Sequence, residues 1–157
     1  MATDAAEMSA SLYDRDFYGW ANEQAALLRA GNFAAADIEN IAEEIESMGR
    51  AARNELTNRL AVLLMHLLKW EAQPARRGRS WLLTIREQRL QVRRNVTQSP
   101  SLRPLLHEIM AEAYEEALVA AQRETDLPEA AFPAECPWTF DQALQGEPAP
   151  DHGKGSA

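Results

Sequence analysis

IENIAEEIESMGRAARNELTNRLAVLLMHLLKW, Ile38–Trp70, is the stretch that decides the fold. Ile38, Ile41, Ala42, Ile45 and Met48 recur at intervals of three and four, the period of a helix with a core-facing stripe. Asp37 has the form of an N-cap immediately before it. Gly49 offers a stop, yet the apolar phase continues across it. Ile38, Ile45 and Ala52 fall in one heptad column, and Ala42, Gly49, Leu56 and Leu63 in another. The pattern predicts one long or slightly bent helix from 38 to about 70, roughly 50 Å at 1.5 Å per residue. A kink centred on Gly49 is the alternative.

Working outward, a first helix is expected from about Asp14 to Arg29, with Phe17, Trp20, Leu27 and Leu28 near one face and Gly31 as the stop. Downstream, Pro74 and Gly78 make EAQPARRGRS a connection. Ser80 then caps WLLTIREQRLQVRRNVT, which carries Leu82, Ile85, Val92 and Val96 on one side. After QSPS a further helix should run from about Leu102 to Glu124, with Leu105, Leu106, Ile109, Ala113, Ala117 and Ala121 inward. FPAECPW is irregular, and Thr139 and Gln142 have capping-box spacing for a brief helix, TFDQAL. No strand alternation and no internal repeat is visible. The expected fold is all-α, an antiparallel helical bundle with about four main helices and a short C-terminal helix. A flexible N-terminus over 1–12, a single helical domain over 13–145 and a disordered tail over 146–157 complete the organisation.

A length of 157 residues suits one domain with a core of its own, and alanine supplies much of the 46% hydrophobic content, which favours helix. No run approaches the roughly 18 to 20 apolar residues of a membrane span. The start, MATDAAEMSAS, lacks the basic-then-apolar order of a signal peptide, so a cytoplasmic protein with no membrane partner is expected. The lone cysteine, Cys136, excludes an intrachain disulfide and a Cys-rich zinc site and reads as a partly buried free thiol. The net charge of −8 conceals an asymmetry: residues 1–73 carry 6 basic and 12 acidic groups, 74–103 carry 8 and 1, and 104–157 carry 2 and 11. The basic segment 76–94, with Arg86, Arg89, Arg93 and Arg94 as binding candidates, either engages nucleic acid or an acidic partner or neutralises acidic neighbours in the fold.

Extending the column Ile38, Ile45, Ala52 by sevens lands on Arg59 and His66, which point within about 20° of each other on a helix. Burying such groups unpartnered would cost several kcal/mol, so they need a carboxylate, water, an anion or a ligand. By phase Glu44 borders the core, whereas Glu39, Glu43 and Glu46 face solvent. If the helices are neighbours, Glu44, Arg59, His66, Lys69 and Arg86 surround one crevice. There an Arg and a Lys would hold a phosphate or another anion, and His66 would move a proton. The bland counterpart is a satisfied polar network between helices. Trp20, Trp70, Trp81 and Trp138 read as packing residues, and His107 and His152 as poor catalytic candidates. With no HExxH, no Glu-x-x-His pair, no Cys cluster, no Gly-rich phosphate loop and no nucleophile elbow, neither a metal nor a cofactor is implied.

The motifs YDRDFYGW, LLRAG, IAEEIESMGR, HLLKWEAQP, RSWLLTIREQR, SPSLR and CPWT, in this order from Tyr13 to Leu144, resemble the bacterial family called domain of unknown function 29. That resemblance implies a compact, mostly helical domain and brings no activity or catalytic residue with it. A shorter stretch is similar to HEPN ribonucleases, whose helical bundles use an Arg and a His four to six residues apart: Arg59 and His66 enclose six, LAVLLM. Those sites carry a polar residue after the arginine, where this chain has Leu60, and they often pair across a dimer, so a homo-oligomer is compatible. The sequence leaves open whether the protein is an enzyme. The readings are a helical domain with an anion-binding cluster, a metal-independent ribonuclease using His66 and Arg59, and a regulatory module that binds nucleic acid or protein.

Overall fold

A computed structural model describes residues 2–148 and, over them, six α-helices and no strand: α1 (Ala2–Arg15), α2 (Phe17–Arg29), α3 (Ile38–Ala72), α4 (Arg79–Gln98), α5 (Leu106–Thr125) and α6 (Phe140–Gln145). Short 3-10 turns at Pro74–Arg76, Pro100–Leu105 and Glu129–Ala131 lie between the later ones. The all-α reading holds, as does the single long helix, which is unbroken over 35 residues through Gly49. Among the described residues no helix is long and apolar enough to cross a membrane.

The chain forms two compact units, Met1–Ala51 and Ala52–Ala157. In the first, helix occupies the stretch the sequence leaves as a flexible N-terminus, and Ser9 is buried and donates to the Ala35 carbonyl at 3.3 Å. The helix expected over 14–29 divides at Asp16. Its backbone leaves the helical region (φ −151, ψ 83) so that its carboxylate accepts the Gly19 amide at 3.0 Å, an N-cap that starts α2. Glycine at 19 leaves this carboxylate its place, because a Cβ would come 2.4 Å from Asp16 Oδ2 and displace the cap. Gly31 ends α2 as expected, with φ +72 and its amide on the Leu28 carbonyl. Tyr13, Phe17 and Trp20 stack edge-on or tilted, and the buried Trp20 indole donates to Asp37 Oδ2 at 3.0 Å. Asp37 is fixed further by Gln24, which accepts its amide at 2.7 Å, and by Asn40, which donates to its carboxylate.

The expected core stripe at the start of α3 does not form. Ile38, Ile45 and Met48 are 50%, 58% and 66% exposed, Ala42 is exposed and Ile41 half-buried. The covered side of these turns is instead marked by Asn40, Ile41 and Glu44, and the polar members of that set have partners in the unit, Asp37 and Tyr13. The apolar line therefore stays in solvent.

The second unit holds the hydrophobic core. Leu56, Leu60, Leu63, Leu64, Leu67 and Leu68 of α3 pack with Ile85, Val92 and Val96 of α4, Ile109, Ala113, Ala117 and Ala121 of α5, Phe132, and Ala143 and Leu144 of α6. Each fully buried leucine contributes about 1.5–3 kcal/mol. The alanines of α5 keep the packing close, as their spacing predicts. α4 begins at Gly78, extended at φ −157, and not at Ser80, which lies inside the first turn. The N-terminal part of the helix expected from Leu102 is a 3-10 turn that contains Pro104, whose ring cannot supply a helical amide. The capping box at Thr139 and Gln142 is complete, with bonds of 3.2 and 2.9 Å. Of the tail expected to be disordered, 149–157 lies outside the described residues.

Leu60→Ala should lower the stability of the full chain by about 2–5 kcal/mol, because it opens a cavity among residues with no room to collapse. Ile45→Ala should change it by no more than about 0.5 kcal/mol, although both residues belong to the apolar pattern of one helix. Urea denaturation followed by circular dichroism measures both.

Candidate functional site

The polar residues singled out on α3 take partners within the protein, Arg59 and His66 on α3 itself and Glu44 and Lys69 on other helices. Glu44 accepts the Tyr13 hydroxyl, and its nearness holds the Tyr13 phenol above its ordinary range. Arg59, partly exposed, pairs with Glu55 one turn back at 3.5 Å. Half-buried His66 directs Nδ1 at the Val62 carbonyl, 2.9 Å away, which leaves Nε2 as the free ring nitrogen. Burial first, and then the Lys69 charge, depress its pKa below 6.5, against the opposing pull of the Val62 carbonyl and Glu124. Lys69 is buried; its ammonium sits 2.6 Å from Glu124 Oε2 on α5 and 4.6 Å from the centre of the Trp81 ring on α4. His66, Lys69, Trp81 and Glu124 thus form one polar seam between helices, and Glu124 and Trp81 are the members that spacing along the chain did not point to.

The basic segment resolves into residues with different duties. Arg77 lies over the Trp70 ring at 5.0 Å and donates Nε to the Trp70 carbonyl at 2.7 Å, satisfying an orphan acceptor at the end of α3. Arg89 is buried at 4% exposure and spends its fork on backbone: Nε on the Ala143 carbonyl at 2.9 Å, Nη1 on Pro148 at 2.7 Å and Nη2 on Gly146 at 2.8 Å. Burial and the neighbouring Arg93 charge pull its pKa down from the usual arginine range, and Glu147 opposes them. It is an internal clamp, with its guanidinium spent on the backbone of 143–148. Arg93 donates to the Leu144 carbonyl at 3.0 Å while staying exposed, and Arg86 and Arg94 are exposed outright.

This clamp borders one of the clefts of the second unit. Segment 144–148 is held against α4, and the two enclose a cleft of about 660 Å³. Arg79, Arg86 and Arg93, seven residues apart, stand in one column along it. Leu83 and Leu90, 48% and 46% exposed, form an apolar line beside that column. The groove therefore has an apolar floor and a rim of three arginines, with Glu87 also in its lining.

A second cleft, about 670 Å³, runs beside α5 past Met110, Tyr114, Cys136, Trp138 and Phe140. Burial raises the Cys136 thiol, which donates to the Trp138 carbonyl at 3.3 Å; it is the partly buried free thiol expected. Burial also pushes the Tyr114 phenol up to about 12; its hydroxyl donates to the Pro133 carbonyl. Among the described residues no group of three His, Cys, Asp or Glu is placed to hold a metal ion.

Two measurements check these assignments. Arg89→Met should cost about 3–5 kcal/mol, since it leaves three carbonyls without their donor, and limited proteolysis should then cut first in 143–148. For His66 the folded pKa is the lower one, so as pH falls below 6.5 the unfolded state takes up the proton more readily and stability drops. His66→Gln should flatten that part of a stability profile between about pH 7.5 and 5 while leaving the rest unchanged.

No curated protein and no solved structure matches the chain. One family model does, over residues 12–147, nearly the span that the motifs from YDRDFYGW to CPWT occupy. By that match the chain belongs to the family described as Domain of unknown function DUF29.

Proposed function

We propose that this protein is a protein-interaction module whose α4 groove takes a helical segment that is apolar along one line and acidic along its flank. The observation that carries this reading is the Arg89 clamp: three bonds to backbone carbonyls hold segment 144–148 beside α4 and so create a groove with an exposed leucine line and an arginine rim. Phosphate recognition would use the arginines and leave Leu83 and Leu90 bare, whereas an amphipathic helix covers both. The ribonuclease reading has less support. Arg59 and His66, two turns apart, are engaged by Glu55 and the Val62 carbonyl, and burial favours the neutral imidazole. In this reading the protein works in the cytoplasm, where a lone thiol such as Cys136 stays reduced.

A fluorescent helical peptide with leucines seven residues apart and glutamates along one flank should bind the full-length protein, more weakly at high salt. Arg79→Glu with Arg86→Glu should weaken it by at least about tenfold. A single-stranded RNA of similar charge should not displace it. RNA that binds as tightly and is cleaved, with cleavage abolished by His66→Ala, would overturn the reading in favour of the nuclease.

A further inference from the structure

We infer that the segment taken by the α4 groove is the start of α3 from a second copy of this chain. The inference rests on the reading of that groove as a site for an acidic amphipathic helix, and it names the helix. The first turns of α3 present such a surface: Ile38 and Ile45 are seven residues apart and half or more exposed, and Glu39 and Glu46, each one residue further on, are exposed along one flank. The groove has the matching form, with Leu83 and Leu90 also seven apart and Arg79 and Arg86 four before and three after Leu83. Ala42 and Gly49 share the α3 face, and a Cβ at Gly49 would meet nothing within 4 Å, so a neighbouring helix can approach closely there.

Charge sets the direction. At 100° per residue, Arg79 and Arg86 lie on one side of the leucine line, and Glu39 and Glu46 on the other side of the isoleucine line. Two helices that face each other in parallel bring opposite flanks together. Leu83 then meets Ile38, Leu90 meets Ile45, Arg79 lies along Glu39 and Arg86 along Glu46. The antiparallel arrangement would bring the glutamates against Glu87 instead. Within the chain, among the described residues, Arg79, Arg86 and Glu39 have no ion pair and Glu46 has only a 3.8 Å contact with the exposed Arg50, so all four charges are available. One helix pair is small beside a standard interface, so the association is reversible and concentration-dependent.

Sedimentation equilibrium of the full-length protein from about 5 to about 500 µM should show a mass above that of the monomer that falls as salt is raised. Arg79→Glu/Arg86→Glu and Glu39→Arg/Glu46→Arg, each alone, should weaken self-association at least about tenfold with helicity unchanged. Mixing the two variants should restore it, because each supplies the partner the other lacks, and so should combining all four substitutions in one chain. A protein monomeric at every concentration, or variants that associate as well alone as mixed, would overturn the inference. If the acidic peptide of the preceding experiment still binds, the groove serves another protein's helix; if the peptide fails as well, the groove reading falls with it.

Discussion

The arrangement of the second unit's surface depends on one guanidinium. A buried arginine carries a large desolvation cost, and Arg89 offsets it with three backbone acceptors beside the charge of Glu147. Carbonyls at Ala143 and Gly146 lie at the end of α6, where helical acceptors lack intrahelical donors, so the cation and the helix terminus answer each other's need. Glycine at 146 belongs to the same arrangement, since a Cβ there would stand 2.5 Å from the Gln142 carbonyl oxygen. The result is a six-residue helix, α6, whose Ala143 and Leu144 reach the core while its end is tied to α4.

A second consequence concerns where cationic charge remains usable. The basic segment counts as one island in sequence, yet Arg89 is committed inside the fold, Arg77 is tied at the surface to the Trp70 ring and carbonyl, and Arg93 gives one bond to the Leu144 carbonyl. What reaches solvent along the groove is a narrower column interleaved with leucines. The preference for a polypeptide proposed above rests on these leucines, which gain only if something apolar covers them. The seam of His66, Lys69, Trp81 and Glu124 has the opposite character. Its charges are matched within the core region, and its histidine is held toward the neutral form.

Helix positions were largely legible because they rest on local signals: three-and-four spacing, the glycine stop at 31 and the capping box at 139 and 142. The break at Asp16 was less so, since a capping aspartate inside an amphipathic pattern looks like an ordinary polar residue until its neighbour at 19 is seen to admit it. Burial along α3 was legible only in part. The same periodicity runs from Ile38 to Leu68, but it becomes core from Leu56 onward and exposed surface before that.

The sequence by itself determined the long α3 and the helical regions after it, the family and the uneven distribution of charge, all properties carried by neighbours along the chain. Tertiary structure decided which charges are spent. Arg59 and His66 share a helix face as their spacing requires, but Glu44 found Tyr13, Lys69 found Glu124, and Arg89 found carbonyls more than fifty residues away. Periodicity gives the direction of a side chain from its own helix axis, whereas partnership depends on what another element brings to that side, and no spacing within one helix encodes it.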